Sequence, residues 1–225
     1  RMFLLYRAKA HFTRTLRSMN LHDVRIPYTR GELGEEHLPE QPTVLLTAWL
    51  GEATTEREPN AAALGTADEH GFPSVRFVLV KEVTEAGLVF FTNYHSRKGQ
   101  HLAANPHAAL TFWWPSSERQ VRVEGTVEQL AAADSDAYFA SRPLESRIGA
   151  AASPQSSVIT GREVLEARAE QLAREGEALA RPEWWGGYTV TPTRYEFWQG
   201  RMGRLHDRFE ALPAGSRWEW RRLAP

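Results

Sequence analysis

The sequence predicts a mainly β protein, a mostly antiparallel barrel with peripheral helices, and three observations carry that expectation. Residues 119–129 alternate cleanly, with Val121, Val123 and Val127 on one face and Gln120, Arg122, Glu124 and Thr126 on the other, the period of a strand with one buried face. Several other short runs rich in β-formers are separated by turn residues. Helical stretches are inserted between them at intervals, which suits helices packed outside a closed sheet.

In chain order, residues 41–53 predict a helix with proline at its first turn. The turn residues Asp68-Glu69-His70-Gly71 separate two strands. Residues 74–81 alternate imperfectly but are rich in valine, leucine and phenylalanine, and residues 87–92 and 109–114 are short apolar runs. All three read as strands. Residues 96–105 and 131–141 read as helices, and 161–180 as a longer one, rich in alanine and glutamate. Residues 188–198 and 217–222 return to strand. No repeat, low-complexity linker or second domain interrupts residues 21–225, so one domain with one sizeable core is expected.

Composition narrows the function. With 42% hydrophobic and 24% charged residues, the chain is an ordinary globular protein. A net charge of −1 argues against nucleic acid as a main partner. No apolar run is long enough to cross a bilayer. The absence of cysteine removes disulfides, thiolate catalysis and cysteine-ligated metals, and fits a cytoplasmic protein. The eight histidines are scattered without metal-ligand spacing, so no metal is expected. Dinucleotide, P-loop, His-Glu-x-x-His and Gly-x-Ser-x-Gly motifs are absent.

Residues 1–20 differ from the rest. Arg1, Arg7, Lys9, Arg14 and Arg17 occur without an acidic residue, among Phe3, Leu4, Leu5, Phe12 and Leu16. Such a stretch suits a targeting peptide or a membrane-surface helix. The plainer expectation, a mobile or extraneous extension, is favoured because Met19 lies just ahead of the motif-bearing region and position 1 is not methionine.

The chemistry is concentrated near the C-terminus. Glu196-Phe197-Trp198-Gln199-Gly200 is followed closely by Arg204-Leu205-His206-Asp207-Arg208. Guanidinium forks bind anions and planar oxygens, an imidazole moves or shares a proton near neutral pH, and an indole supplies a flat wall. Together they suit a flat, anionic, redox- or proton-active ligand. Ahead of them come Arg76-Phe77-Val78-Leu79-Val80-Lys81, Phe90-Phe91-Thr92-Asn93, Ser96-Arg97-Lys98, Glu118-Arg119-Gln120-Val121, Ser141-Arg142-Pro143, Ser153-Pro154-Gln155-Ser156-Ser157 and Trp185-Gly186-Gly187-Tyr188. In order and spacing this set resembles the pyridoxine/pyridoxamine 5′-phosphate oxidases from about residue 25 to the C-terminus.

The resemblance implies the FMN-binding split barrel, a homodimer with two interfacial FMN sites, and a reaction. A hydride equivalent passes from C4′ of pyridoxine or pyridoxamine 5′-phosphate to flavin N5. Molecular oxygen then reoxidises the flavin, giving hydrogen peroxide and pyridoxal 5′-phosphate. It places FMN among Arg76, Phe77, Val78, Leu79, Val80, Lys81, Phe91, Thr92, Arg97, Lys98, Gln120, Gln155, Ser156, Trp198 and Arg208. Phe91 stands where many members carry tyrosine, so a hydroxyl contact is lost there. Independently, Arg97 and Lys98 open a helix, where free amides and the dipole already attract phosphate.

For the substrate the resemblance implies Lys81, Tyr138, Arg142 and Ser146 on the phosphate, with Arg204, Leu205 and His206 over the pyridine ring. Arg204 and His206 carry the catalytic roles. Arg25 and Tyr28 resemble the lid residues. Pro143 is expected to end a helix at Arg142 and leave Ser146 in a loop. Without the resemblance, Arg142 reads as a helix-end cation and Trp198 as a core residue. Two alternatives stand beside the oxidase: a phenazine-type FMN oxidase of the same fold, and a non-enzymatic flavin- or vitamer-binding protein.

Overall fold

A computed structural model describes residues 21–22 and 26–225. The expectations for residues 1–20 and for Arg25 lie outside the described residues. Among them, no helix is long and apolar enough to cross a membrane.

The alternating stretch forms β5 (Arg119–Gln129), with Val121, Val123 and Val127 buried as their period requires. Helix α1 (Pro42–Glu52) precedes the sheet, with Pro42 in its first turn. The other strands are β1 (Ala61–Ala67), β2 (Pro73–Val83), β3 (Leu88–Asn93), β4 (His107–Trp114), β6 (Trp185–Gln199), β7 (Asp207–Ala214) and β8 (Arg217–Arg222). All are antiparallel, in the order β3-β2-β1-β4-β5-β6-β7-β8.

The sheet divides on β6. One edge of β6 is bonded to β5 over Tyr188–Gln199, whereas the other meets β3 over Trp185–Val190 and β7 over Tyr195–Gln199. Pro192, which lacks a ladder donor, lies between the two segments, beside the register shift at Glu124/Gly125. The first half therefore closes β3-β2-β1-β4-β5-β6 into a six-stranded barrel, and the second half carries β7 and β8 outward. That is the split barrel anticipated above.

Leu64, Phe90, Leu110, Phe112, Val121, Val190 and Phe197 fill the barrel, all fully buried. Trp49 of α1 covers one end, edge-on to Phe197 at 5.4 Å and to Trp114 at 6.5 Å. Each large apolar side chain so buried contributes about 1.5–3 kcal/mol before its ordering cost.

The remaining helices are α2 (Arg97–Ala104), α3 (Ala132–Ser141), α4 (Leu144–Ala152) and α5 (Arg162–Ala173). Two expectations need correction. The stretch 161–180 is not one helix: α5 stops at Ala173 and a short 3-10 turn follows at Gly176–Ala178, where Gly176 is left-handed (φ 56). Ser146 does not lie in a loop. Pro143 ends α3 but, with φ −52, also begins α4, and Ser146 sits in the first turn of that helix.

Candidate active site

The best-defined part of the site is built on the start of α2. Ser96 caps that helix, accepting from Gly99 N–H (3.4 Å) and donating to the Asn93 carbonyl (2.6 Å). The cap turns Lys98 inward, to 8% exposure. Its ammonium donates to Gln155 Oε1 (2.7 Å), Thr92 Oγ1 (3.0 Å) and Ser96 Oγ (3.3 Å), all uncharged. Burial first, and then the nearby Arg76 charge, push Lys98 down from 10.5 to about 8. Arg76 is likewise lowered, by burial and by Arg97. Among the described residues Arg76, Arg97 and Lys98 have no carboxylate at ion-pair distance. Three crowded cations without a counter-charge are costly unless an anion joins them.

Lys98 opens into a cavity of about 600 Å³. Of the expected cofactor residues, Phe77, Val78, Leu79, Lys81, Phe91, Thr92, Lys98 and Gln155 line it, together with the expected phosphate ligands Tyr138, Arg142 and Ser146. Arg97 and Ser156 line the neighbouring cleft, and Ser156 holds a left-handed backbone (φ 74). Val80 behaves differently from its neighbours. Alternation along β2 turns its side chain into the core at 3% exposure, and Asn60 engages both its N–H and its carbonyl.

One wall of the cavity is aromatic. Tyr138 stacks on Phe91 (3.7 Å, 16°) and lies parallel to Trp185 (6.3 Å, 3°). Burial raises the Tyr138 phenol above its ordinary value, so it remains a donor at neutral pH. Arg142 lies over Trp185 at 4.8 Å, and its buried Nη1 has no hydrogen-bond partner. A second cation therefore also faces this cavity without an anion.

The remaining expected residues form a separate group at the far end of β6. Gln120, Trp198 and Arg208 are cross-strand neighbours on β5, β6 and β7. Arg208 is held by both oxygens of Glu196 (3.0 and 2.9 Å), a residue 3% exposed. Trp113 on β4 extends the same row opposite Gln120, 45% exposed and 6.0 Å from Trp198. Sequence reasoning did not single out Trp113. The available signal was the Trp113-Trp114 pair, since a strand sends only one of two adjacent residues inward.

Tyr28 joins this group, with its ring 5.5 Å from Trp198 and 5.2 Å from His206. Glu118 holds the approach, accepting from the N–H groups of Thr29 (2.7 Å) and Arg30 (2.9 Å). Gly200 is required by the contact, because a Cβ there would lie 2.7 Å from the Tyr28 ring. Asp207 pins the loop from Arg201 to His206 by accepting from Arg201, Arg222 and Leu33 N–H. His206 Nδ1 accepts from Arg201 N–H (3.0 Å), which leaves the proton on Nε2. Burial, then the Arg204 charge, lower the pKa of His206, so the ring stays neutral at pH 7. Arg204 is exposed and left-handed (φ 66), as is Gly203 before it, and Leu205 is 76% exposed. None of Tyr28, Gln120, Trp198, Arg204, Leu205, His206 and Arg208 lines the 600 Å³ cavity of the same chain.

Comparison with known proteins gives a consistent picture. Residues 52–174 match the family model described as pyridoxamine 5′-phosphate oxidase, and residues 185–225 match the pyridoxine 5′-phosphate oxidase C-terminal dimerisation region. The pyridoxine/pyridoxamine 5′-phosphate oxidase of Thermosynechococcus vestitus is 53% identical over 206 residues, covering 90% of this chain and 98% of the relative. That of Actinobacillus succinogenes is 51% identical, covering 92% and 100%. Among solved structures, PhzG from Burkholderia lata, in complex with tetrahydrophenazine-1-carboxylic acid, has a TM-score of 0.81 at 32% identity and covers 84% of this chain and 95% of its own. An FMN-binding protein from Nostoc punctiforme, related to pyridoxamine 5′-phosphate oxidase, shares the fold at TM-score 0.68 and 15% identity, covering 81% and 96%.

Proposed function

The chain belongs to the pyridoxamine 5′-phosphate oxidase family, and on that premise we propose that it binds FMN and oxidises pyridoxine and pyridoxamine 5′-phosphates to pyridoxal 5′-phosphate, with oxygen as acceptor. The observation that carries the proposal is that Lys98, Lys81 and Arg142 line one cavity without an ion-pair partner among the described residues, with Arg76 close to Lys98 and Arg97 in the adjoining cleft. Lys98 with Arg76 and Arg97 fits the phosphate of FMN, and Lys81 with Arg142 the phosphate of the vitamer. Bound FMN would supply the redox chemistry, taking up a hydride equivalent from C4′ and passing the electrons to oxygen as hydrogen peroxide.

The protein's part is position and electrostatics. Lys98, with Thr92 and Gln155, would hold the cofactor end. Arg142, Lys81, Ser146 and the Tyr138 hydroxyl would grip the substrate phosphate. Arg204 and the Nε2–H of neutral His206 would orient the pyridine ring and stabilise charge near the reacting carbon. These last residues lie away from the cavity of their own chain, so in this reading a second copy delivers them. The match to a dimerisation region supports a homodimer related by a two-fold axis, with two equivalent sites. A chain without cysteine also fits a cytoplasmic setting.

The phenazine-type alternative shares fold and cofactor; Lys81, Tyr138, Arg142 and Ser146 lining one cavity together support a phosphorylated substrate, whose three oxygens need more donors than a single carboxylate. Adding pyridoxine 5′-phosphate anaerobically to the purified yellow protein decides between the readings. Bleaching of the flavin, reversed by air with release of peroxide, is expected. A spectrum unchanged by either vitamer phosphate contradicts the proposal.

Lys98 adds a pH dependence. Its folded value of about 8 lies below the ordinary 10.5, so folding disfavours its charged form. The stability cost is fully present below pH 8 and is relieved as pH rises through 8 toward 10.5, where the unfolded chain binds the extra proton. A bound phosphate has the opposite preference and stabilises the ammonium. Affinity for FMN relative to riboflavin should therefore decline above about pH 8, and Lys98→Arg should remove that decline. A flat ratio across this range in the parent protein would show that Lys98 does not meet the phosphate.

A further inference from the structure

Arg76 is fastened at one corner only. Its Nη1 donates to the Leu64 carbonyl (3.1 Å) and to the Thr66 hydroxyl (2.7 Å), which uses both hydrogens. Nε and Nη2, the two donors that grip a phosphate as a fork, have no protein partner among the described residues.

Thr66 on β1 is 4% exposed, and its oxygen also lies 3.2 Å from Nδ1 of His101, itself 6% exposed on α2. The proton inventory assigns the direction of these bonds. A guanidinium only donates, so the Thr66 oxygen accepts from Arg76. The single hydroxyl proton then needs an acceptor, and His101 Nδ1 is in reach, which puts the ring proton on Nε2. The chain of donation runs from Arg76 to Thr66 to His101, which lines the neighbouring cleft together with Asp68.

The arrangement has a mechanical consequence. Helix α2 carries Arg97 and Lys98 in its first turn and His101 one turn later. The helix that contributes two cations thus also reaches across to β1 and fastens the third. Arg97 and Lys98 both repel Arg76, a force that tends to swing its long side chain away from them. The Thr66 hydroxyl, braced by His101, opposes that swing. The Leu64 carbonyl alone would leave the guanidinium free to pivot about one bond.

We propose that Thr66 and His101 are positioning residues that aim the free fork of Arg76 at the cofactor phosphate and keep the three cations at one spacing. The proposal rests on the FMN reading above, but it concerns two buried residues that contact no ligand themselves. Its consequence is selective: losing the brace should weaken recognition of the phosphate and leave recognition of the flavin ring alone.

The test compares FMN with riboflavin, which lacks only the phosphate, by flavin fluorescence titration of flavin-free full-length protein. Thr66→Val should lower FMN affinity by about tenfold, the effect of losing one hydrogen bond to a charged group, with riboflavin affinity unchanged. Thr66→Ser, which restores the hydroxyl, should return FMN affinity to the parental value, and His101→Leu should give a smaller fall of the same selectivity. A folded Thr66→Val or His101→Leu protein with the parental FMN-to-riboflavin ratio overturns the proposal, as does an equal loss of both ligands. If Thr66→Val does not fold, His101→Leu carries the decision. A parent protein that binds riboflavin as tightly as FMN would instead remove the phosphate reading itself.

Discussion

Arg204→Ala is expected to lower kcat/KM for pyridoxine 5′-phosphate by about 10²–10³-fold, which is the scale of removing one positioned charge-assisted contact from a transition state. Bound FMN per protomer should stay at the parental level, because the proposed reading gives Arg208 and Trp198, not Arg204, to the cofactor. The structure gives Arg204 little else to do. It is exposed, has no ion-pair partner among the described residues, and holds a left-handed backbone that costs energy in the folded state. Alanine keeps that backbone requirement and removes only the guanidinium. Normal steady-state kinetics in a flavin-replete variant would rule out the assigned role.

Arg142→Ala should act differently, raising KM for the phosphorylated substrate by about 10–100-fold with a smaller change in kcat. A phosphate remote from the reacting carbon contributes mostly uniform binding. The unpartnered Nη1 of Arg142 is the structural basis, since a buried guanidinium nitrogen is rarely left without an acceptor. Arg142→Lys should recover only part of the loss, because a point charge cannot reproduce the fork. The competing role is packing, as Arg142 lies 4.8 Å over Trp185. An unchanged KM with a lowered Tm would mean that packing is its whole purpose.

Much of this was legible in the sequence, for identifiable reasons. The strand of residues 119–129 shows its period directly, and Ser96-Arg97-Lys98 places a cap and two cations side by side, so local chemistry marks the start of α2. β1 was implied only by the turn that follows it at 68–71 and not by its own residues, because Ala61-Ala62-Ala63 and Gly65 have little β propensity and are held by β2 and β4 on either side. Ser146 was misplaced because Pro143 was read only as a stop, although the same fixed φ also begins a helix.

Within the site, the motif around β2 suggested six consecutive contacts, and alternation withdraws the Val80 side chain from them. The Arg76–Thr66–His101 chain joins residues up to 35 positions apart and leaves no local signature. Nor does sequence order show that Gln155 and Lys98 fall beside one cavity while Trp198, Arg204 and His206 fall elsewhere. That partition depends on how β6 divides its edge between β3 and β7.

The partition makes the shared site directly testable by mixing two impaired proteins and assaying them well below the parental KM, where both lesions lower the rate. Purified Arg142→Ala and Arg204→Ala variants are combined in equal amounts, dissociated and reassembled, and assayed. If each site takes Arg142 from one subunit and Arg204 from the other, every mixed dimer holds one doubly damaged site and one intact site. Random reassociation then restores about a quarter of parental activity. If both residues serve the site of their own chain, every site in every dimer carries one lesion, and activity remaining at the level of the separate variants would contradict the account.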